Sequence, residues 1–113
     1  MSDCIFCKIA KHELGSAAVY EDNDFFAFQD INPAAPAHVL LIPKKHVVSL
    51  LDQGAEEDLL GKMMALVPRL AKKLGIADDG FRMVINTGRN GGQTVEHLHI
   101  HILGGRALQW PPG

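Results

Sequence analysis

The alternation of apolar and polar residues marks out the elements of this chain in turn. Residues 4 to 10 carry Ile5, Phe6 and Ile9, the apolar side of a short helical turn. Val19-Tyr20-Glu21 and Phe25 to Phe28 read as two strands around the turn formers Asp22 and Asn23. Asn32-Pro33 through Pro36 is a loop, because each proline pushes its predecessor out of helical geometry. His38 to Ile42 forms a strand ended by Pro43. From about Gly54 to Leu74, the spacing of Leu59, Leu60, Met63, Val67, Leu70 and Leu74 predicts one long helix, stopped by Gly75. Pro68 should kink or break that helix. Phe81 to Ile85 alternates again as a strand.

The last alternating stretch is "VEHLHIHIL", residues 95 to 103. Its period is that of a strand, with His97, His99 and His101 on one face and Leu98, Ile100 and Ile102 on the other. Five strands with one long and one short helix predict an α+β domain covering residues 1–113. Mostly hairpin-length connections make its sheet antiparallel. The closing "LGGRALQWPPG" is irregular, and Leu108 and Trp110 are too apolar to be left in water. They should pack on their own domain or on a second subunit.

Composition adds boundaries to this picture. The 113 residues are 47% hydrophobic and 21% charged, which is globular. A formal charge of −2 without a basic stripe argues against a nucleic-acid or anionic-membrane surface. No apolar run approaches the roughly 20 residues of a membrane span. The start Met-Ser-Asp-Cys lacks signal-peptide character, so the expected location is the cytoplasm. There Cys4 and Cys7 have three readings: half a zinc site, a redox pair, or two small buried residues. No thioredoxin-like βαβ context supports the redox pair.

Three imidazoles on one face can bind a metal, carry out covalent catalysis with one neutral ring as nucleophile, or merely satisfy hydrogen bonds. The neighbourhood points to phosphorus chemistry. Gly91-Gly92 lets backbone N–H groups approach an anion, with Thr94 and Asn86 at the same end. Glu96 points away from the histidine face and offers it no carboxylate ligand.

With these residues in view, the chain resembles the histidine triad (HIT) family, in its Hint-like branch. "HLHIHIL" fits the signature His-φ-His-φ-His-φ-φ, where φ is apolar. "CIFCKIA", "FFAFQDINPAAPAHVLLIPKKH", "FRMVINTGRNGGQTVEHLHIHILGG" and "WPPG" resemble Hint segments in order and spacing. The resemblance implies the HIT-like fold and hydrolysis of purine nucleoside 5′-phosphoramidates to a nucleoside monophosphate and an amine. It makes His99 the nucleophile and places His101 and the Thr94 hydroxyl at the leaving group. His38 would orient the nucleophile's ring, and Asn86 with the N–H groups around Gly92 and Thr94 would hold the phosphoryl oxygens.

The same resemblance puts Asp30 on the ribose hydroxyls and the base among Ile5, Phe6, Ile9, Phe28, Ile31 and Leu40. On their own, most of those apolar residues read as core and Asp30 as a turn residue. It also implies that Cys4, Cys7, His46 and His97 hold a structural zinc, a closed tetrahedral set, with no catalytic metal. Hint proteins are homodimers, and Trp110 is the candidate for contact across the interface. Thr94 stands where serine is common, and Glu96 and Gln109 replace frequent Tyr and His, which leaves the preferred leaving group open. His101 stands where the uridylyltransferase branch has glutamine, and this favours a hydrolase. The alternatives are a nucleotide-binding regulatory protein with incidental turnover and a zinc hydrolase using the histidine face.

Overall fold

Phe25, Phe26, Ala27 and Phe28 are all buried, so their strand is covered on both faces. A computed structural model describing residues 3–113 shows why. Its elements are α1 (Ile5–Ala10), β1 (Tyr20–Glu21), β2 (Phe25–Gln29), β3 (Ala37–Pro43), α2 (Glu57–Lys73), β4 (Phe81–Val84) and β5 (Ile100–Gly104). The strands form one antiparallel sheet in the order β1-β2-β3-β5-β4. One face carries Phe25, Ala27, Val39, Leu41, Ile100 and Ile102 against Met63, Leu66, Val67 and Leu70 of α2. The other carries Phe26, Phe28, Leu40 and Ile42 against Phe6, Ile9 and Ala10 of α1. Each large side chain so buried contributes about 1.5–3 kcal/mol.

The long helix is shorter than its pattern predicts, starting at Glu57 and not at Gly54. It runs through Pro68 without ending there. Pro68 is exposed, so the carbonyl that loses its partner faces water. Leu66 and Ala71 join the buried stripe, which the sequence pattern had not included. Its end is as expected: Gly75 has φ +74, with Gly75 N–H on the Lys72 carbonyl and Ile76 N–H on the Ala71 carbonyl.

The histidine strand needs a larger correction. Regular pairing begins only at Ile100, so His97 and His99 precede β5. The β4–β5 connection, residues 85–99, is also no hairpin turn. Its final stretch is tied to the segment after β3, with Leu98 N–H donating to the Val47 carbonyl at 2.6 Å. The alternation survives without the ladder. Leu98, Ile100 and Ile102 enter the α2-side core, while His99 meets Phe6 on the α1 side. The sheet's two edges differ in kind: β1 has two residues, and β4 has four with Phe81 exposed.

Candidate active site and metal centre

α1 places its two cysteines at its own start. Cys4 is the N-cap, its Sγ accepting from the Cys7 N–H at 3.4 Å. Across from them, His97 Nδ1 lies 3.3 Å from Cys4 Sγ and 3.5 Å from Cys7 Sγ, and His46 Nδ1 lies 3.2 Å from Cys7 Sγ. All four donor atoms lie within 4.8 Å of one another. A tetrahedral zinc with ordinary bond lengths has a sulfur–nitrogen edge of about 3.6 Å, so the set fits such an ion. His97 Nε2–H donates to the Pro43 carbonyl at 2.8 Å, which leaves Nδ1 unprotonated toward the cysteines. Burial, followed by the hydrogen bond and charge of Cys4, raises the Cys7 pKa.

Two residues on, a second set begins. His99 Nδ1 lies 2.6 Å from the His97 carbonyl oxygen, and because that oxygen only accepts, the ring carries its proton on Nδ1. Its Nε2 lone pair is therefore free. The His38 ring has the opposite arrangement. Ala34 N–H donates to His38 Nδ1 at 3.0 Å, which puts the His38 proton on Nε2. That proton lies between His101 Nδ1 at 2.9 Å and Asp30 Oδ2 at 3.4 Å. His101 in turn accepts at Nδ1 and carries its own proton on Nε2. The His99 and His101 ring centroids are 5.0 Å apart.

The expected part for His38 changes accordingly. It bonds and orients His101, while the backbone carbonyl of His97 orients His99. The same tautomers separate the two clusters chemically. Asp30, His38 and His101 also lie close enough to share an ion. Binding one at His38 Nε2 would require moving the proton that Ala34 N–H keeps there, whereas His97 already has its lone pair toward the cysteines.

The glycine-rich loop after β4 is built differently from its sequence reading. Asn86 Nδ2–H donates to the Gly91 carbonyl at 2.7 Å, and Gly92 N–H donates to the Arg89 carbonyl at 3.1 Å. Both donors thus hold the turn itself, so Gly92 N–H is not a free phosphoryl donor. Thr94 is exposed. Gly91 is required by close approach, since a Cβ there would lie 2.3 Å from the Thr87 carbonyl oxygen. Gln93, which sequence reasoning missed, clamps the loop: its Nε2 donates to the Val48 and Val95 carbonyls, and its Oε1 accepts from Gly88 N–H.

The predicted base residues divide. Phe6, Ile9, Phe28 and Leu40 are core, as their apolarity alone implied, Ile5 is half-exposed, and Ile31 is 90% exposed. Phe28, Asp30 and Ile31 line a cavity of about 470 Å³ together with the segment from Ser16 to Val19. That segment carried no motif and is the missed part of its wall. Asp30 does turn work too, its Oδ1 accepting from Asn32 N–H at 2.9 Å.

Burial, then the charges of neighbouring histidines, lowers the pKa of His97 and of His101 to about 4. Their unfolded value is near 6.5, so between those limits the unfolded chain binds more protons than the folded one. Stability is complete above about pH 6.5 and falls as the pH drops toward 4. Thermal melts of EDTA-treated protein from pH 7.5 to 4.5 are expected to show a Tm decline of several degrees, shallower in His101→Gln. A flat Tm would contradict the neutral, buried assignment.

A five-stranded antiparallel sheet with His97, His99 and His101 alternating along the approach to its strand β5 and into it defines the histidine-triad type of protein. The HIT domain model matches residues 11–108. Protein HitA of Neisseria gonorrhoeae is 57% identical over 105 residues, covering 92% of this chain and 97% of that one. The purine nucleoside phosphoramidase of Escherichia coli K12 is 46% identical over 107 residues, covering 94% and 90%. The crystal structure of a HIT family hydrolase from Legionella pneumophila superposes with a TM-score of 0.94 at 44% identity, covering 98% of this chain and all of the other. The chain belongs to the HIT family.

Proposed function

We propose that this protein hydrolyses the P–N bond of purine nucleoside 5′-phosphoramidates through a nucleotidyl-histidine intermediate. The observation that carries the proposal is the pair of opposed tautomers: His99 offers a lone pair at Nε2, and His101 offers a proton at Nε2. The His99 lone pair forms a bond to phosphorus, and the P–N electrons leave with the amine. The amine takes a proton delivered along the His101–His38 pair. Water then attacks phosphorus, the P–Nε2 electrons return to His99, and the water proton restores the pair. Adjacent Nε2 atoms with unlike protonation suit both halves of that cycle.

The Phe28–Asp30–Ile31 cavity receives the nucleoside, with Asp30 toward the ribose. Phe6 lies edge-on to His99 at 5.1 Å and fixes the ring's other side. Thr94 and its backbone N–H, with Asn86 behind them, hold the phosphoryl oxygens. Cys4, Cys7, His46 and His97 hold a structural zinc, whose contribution when bound is to tie α1 to the backbone before β5. The molecule works in the cytoplasm as a homodimer. Supporting the latter, Trp110 is 78% exposed and does not pack on its own domain, and Leu51 and Met64 are exposed with it. Among the described residues no helix is long and apolar enough to cross a membrane.

The test is adenosine 5′-phosphoramidate with wild-type protein, followed by acid-free quenching and mass spectrometry. The expected result is AMP and ammonia, with an adenylyl mass on the peptide containing His99. Nucleotide binding without turnover would favour a regulatory, nucleotide-binding role.

A further inference from the structure

One side chain closes the loop between β4 and β5. Gln93 Nε2 donates to the Val48 carbonyl at 2.7 Å and to the Val95 carbonyl at 3.0 Å, and Oε1 accepts from Gly88 N–H at 3.0 Å. Its backbone N–H donates to the Gly88 carbonyl at 3.0 Å, so Gly88 and Gln93 bond each other twice. Both amide protons and the amide oxygen are therefore engaged. These surroundings also select the residue type. A carboxylate would face two carbonyl oxygens, and an ammonium would face the Gly88 N–H.

Thr94 lies inside this frame. The residue before it is held at its N–H and the residue after it at its carbonyl, and Gln93 makes both bonds. Val95 also packs against the cluster around Phe6. The Val48 bond anchors the loop to the segment after β3, and Leu98 N–H on the Val47 carbonyl repeats that anchor on the other side of Thr94. Thr94 itself is exposed, and among the described residues neither its N–H nor its hydroxyl has a hydrogen-bond partner. Its neighbours are fixed while its own donors stay available. Donors held in this way stabilise developing charge without reorganising at the moment of reaction.

We propose that Gln93 is a positioning residue for the reaction: its amide holds the Thr94 N–H and hydroxyl in place for the phosphoryl oxygens and touches no substrate atom itself. The inference rests on the phosphoramidase reading and deepens it.

The experiment measures kcat and KM for adenosine 5′-phosphoramidate in wild type, Gln93→Met, Thr94→Ala and the double variant, each well below its melting temperature. Methionine keeps the length of the side chain and removes its hydrogen bonds. Misplaced donors act on the transition state, so Gln93→Met is expected to lower kcat about tenfold to a hundredfold. KM should stay within about threefold, because the Asp30 cavity borders β2 and not this loop. The double variant should lose clearly less than the product of the two single losses, since part of the Gln93 effect passes through the Thr94 hydroxyl. Gln93→Glu serves if the methionine variant does not fold. A neutral carboxyl donates one of the lost bonds and a carboxylate none. Its kcat relative to wild type should therefore rise as the pH falls from about 8 to about 5.5. An unchanged kcat in Gln93→Met, single losses that multiply in the double variant, or a relative kcat of Gln93→Glu that is flat with pH overturns the positioning role. Wild type that does not turn over the phosphoramidate overturns the underlying function, and the role of Gln93 with it.

Discussion

His99→Gln is expected to lower hydrolysis of adenosine 5′-phosphoramidate by on the order of a thousandfold or more, with the fold intact. The size of the effect follows from the covalent route. Glutamine can fill the space beside Phe6, and its amide N–H can still donate to the His97 carbonyl. It has no lone pair nucleophilic enough to displace an amine from phosphorus. The reaction would then rely on direct attack by water, with only the positioning and electrostatics of the site left to help. His101→Gln should cost less, about a hundredfold to ten-thousandfold, because it removes proton transfer and leaves the nucleophile. The two variants also differ in kind: adenylylated protein should be undetectable in His99→Gln and still form slowly in His101→Gln. Circular dichroism and single-turnover mass spectrometry make both checks. Equal, modest losses in the two variants would remove His99 from its role.

Stripping the metal centre is the second large effect. Cys7→Ser, or wild type dialysed against a strong chelator, is expected to lose about 3 kcal/mol or more of stability. For a chain of this size that is a fall in Tm of roughly 10 °C or more. Cys7 is buried, and without an ion the two thiols and two imidazoles must share one small space. The ion would also fasten α1, which covers only one face of the sheet and has six residues. Activity assayed well below the lowered Tm should persist within about tenfold, since no reacting atom is among the four ligands. Full loss of activity in protein that remains folded and nucleotide-bound would instead place the metal in the chemistry. Calorimetry with and without zinc, alongside the phosphoramidate assay, separates the cases.

The sequence pattern and the structure agree where periodicity meets burial and part where a single partner decides. β2 and β3 were legible because their apolar runs face two cores, and the long helix because its apolar stripe repeats at helical spacing against one of them, signals spread over many residues. The start of β5 was not, because alternation continues through His97 and His99 although Leu98 is bonded to Val47 and not to a neighbouring strand. The candidate metal ligands were reachable from Cys-x-x-Cys and the resemblance, and the fold brings all four together. Which nitrogen of each histidine holds a proton could not be read at all. That depends on the His97 carbonyl and the Ala34 N–H, backbone groups every residue possesses. The division of Leu40 and Ile9 from Ile31 was equally hidden, since core and cleft walls use the same side chains. Gln93 left no signal either, because three partners of one amide are visible only once the loop is closed.

The unlike edges of the sheet bear on how large an assembly can grow. A two-residue β1 gives an approaching chain almost no ladder to extend, which is a common guard against runaway pairing. The β4 side has a longer row of unpaired backbone groups and the exposed Phe81. Two copies joined β4 to β4 about a two-fold axis would use up the single adhesive edge of each. What remains at both ends of the doubled sheet is the blunt strand, so such a pair terminates itself and has no route to a filament.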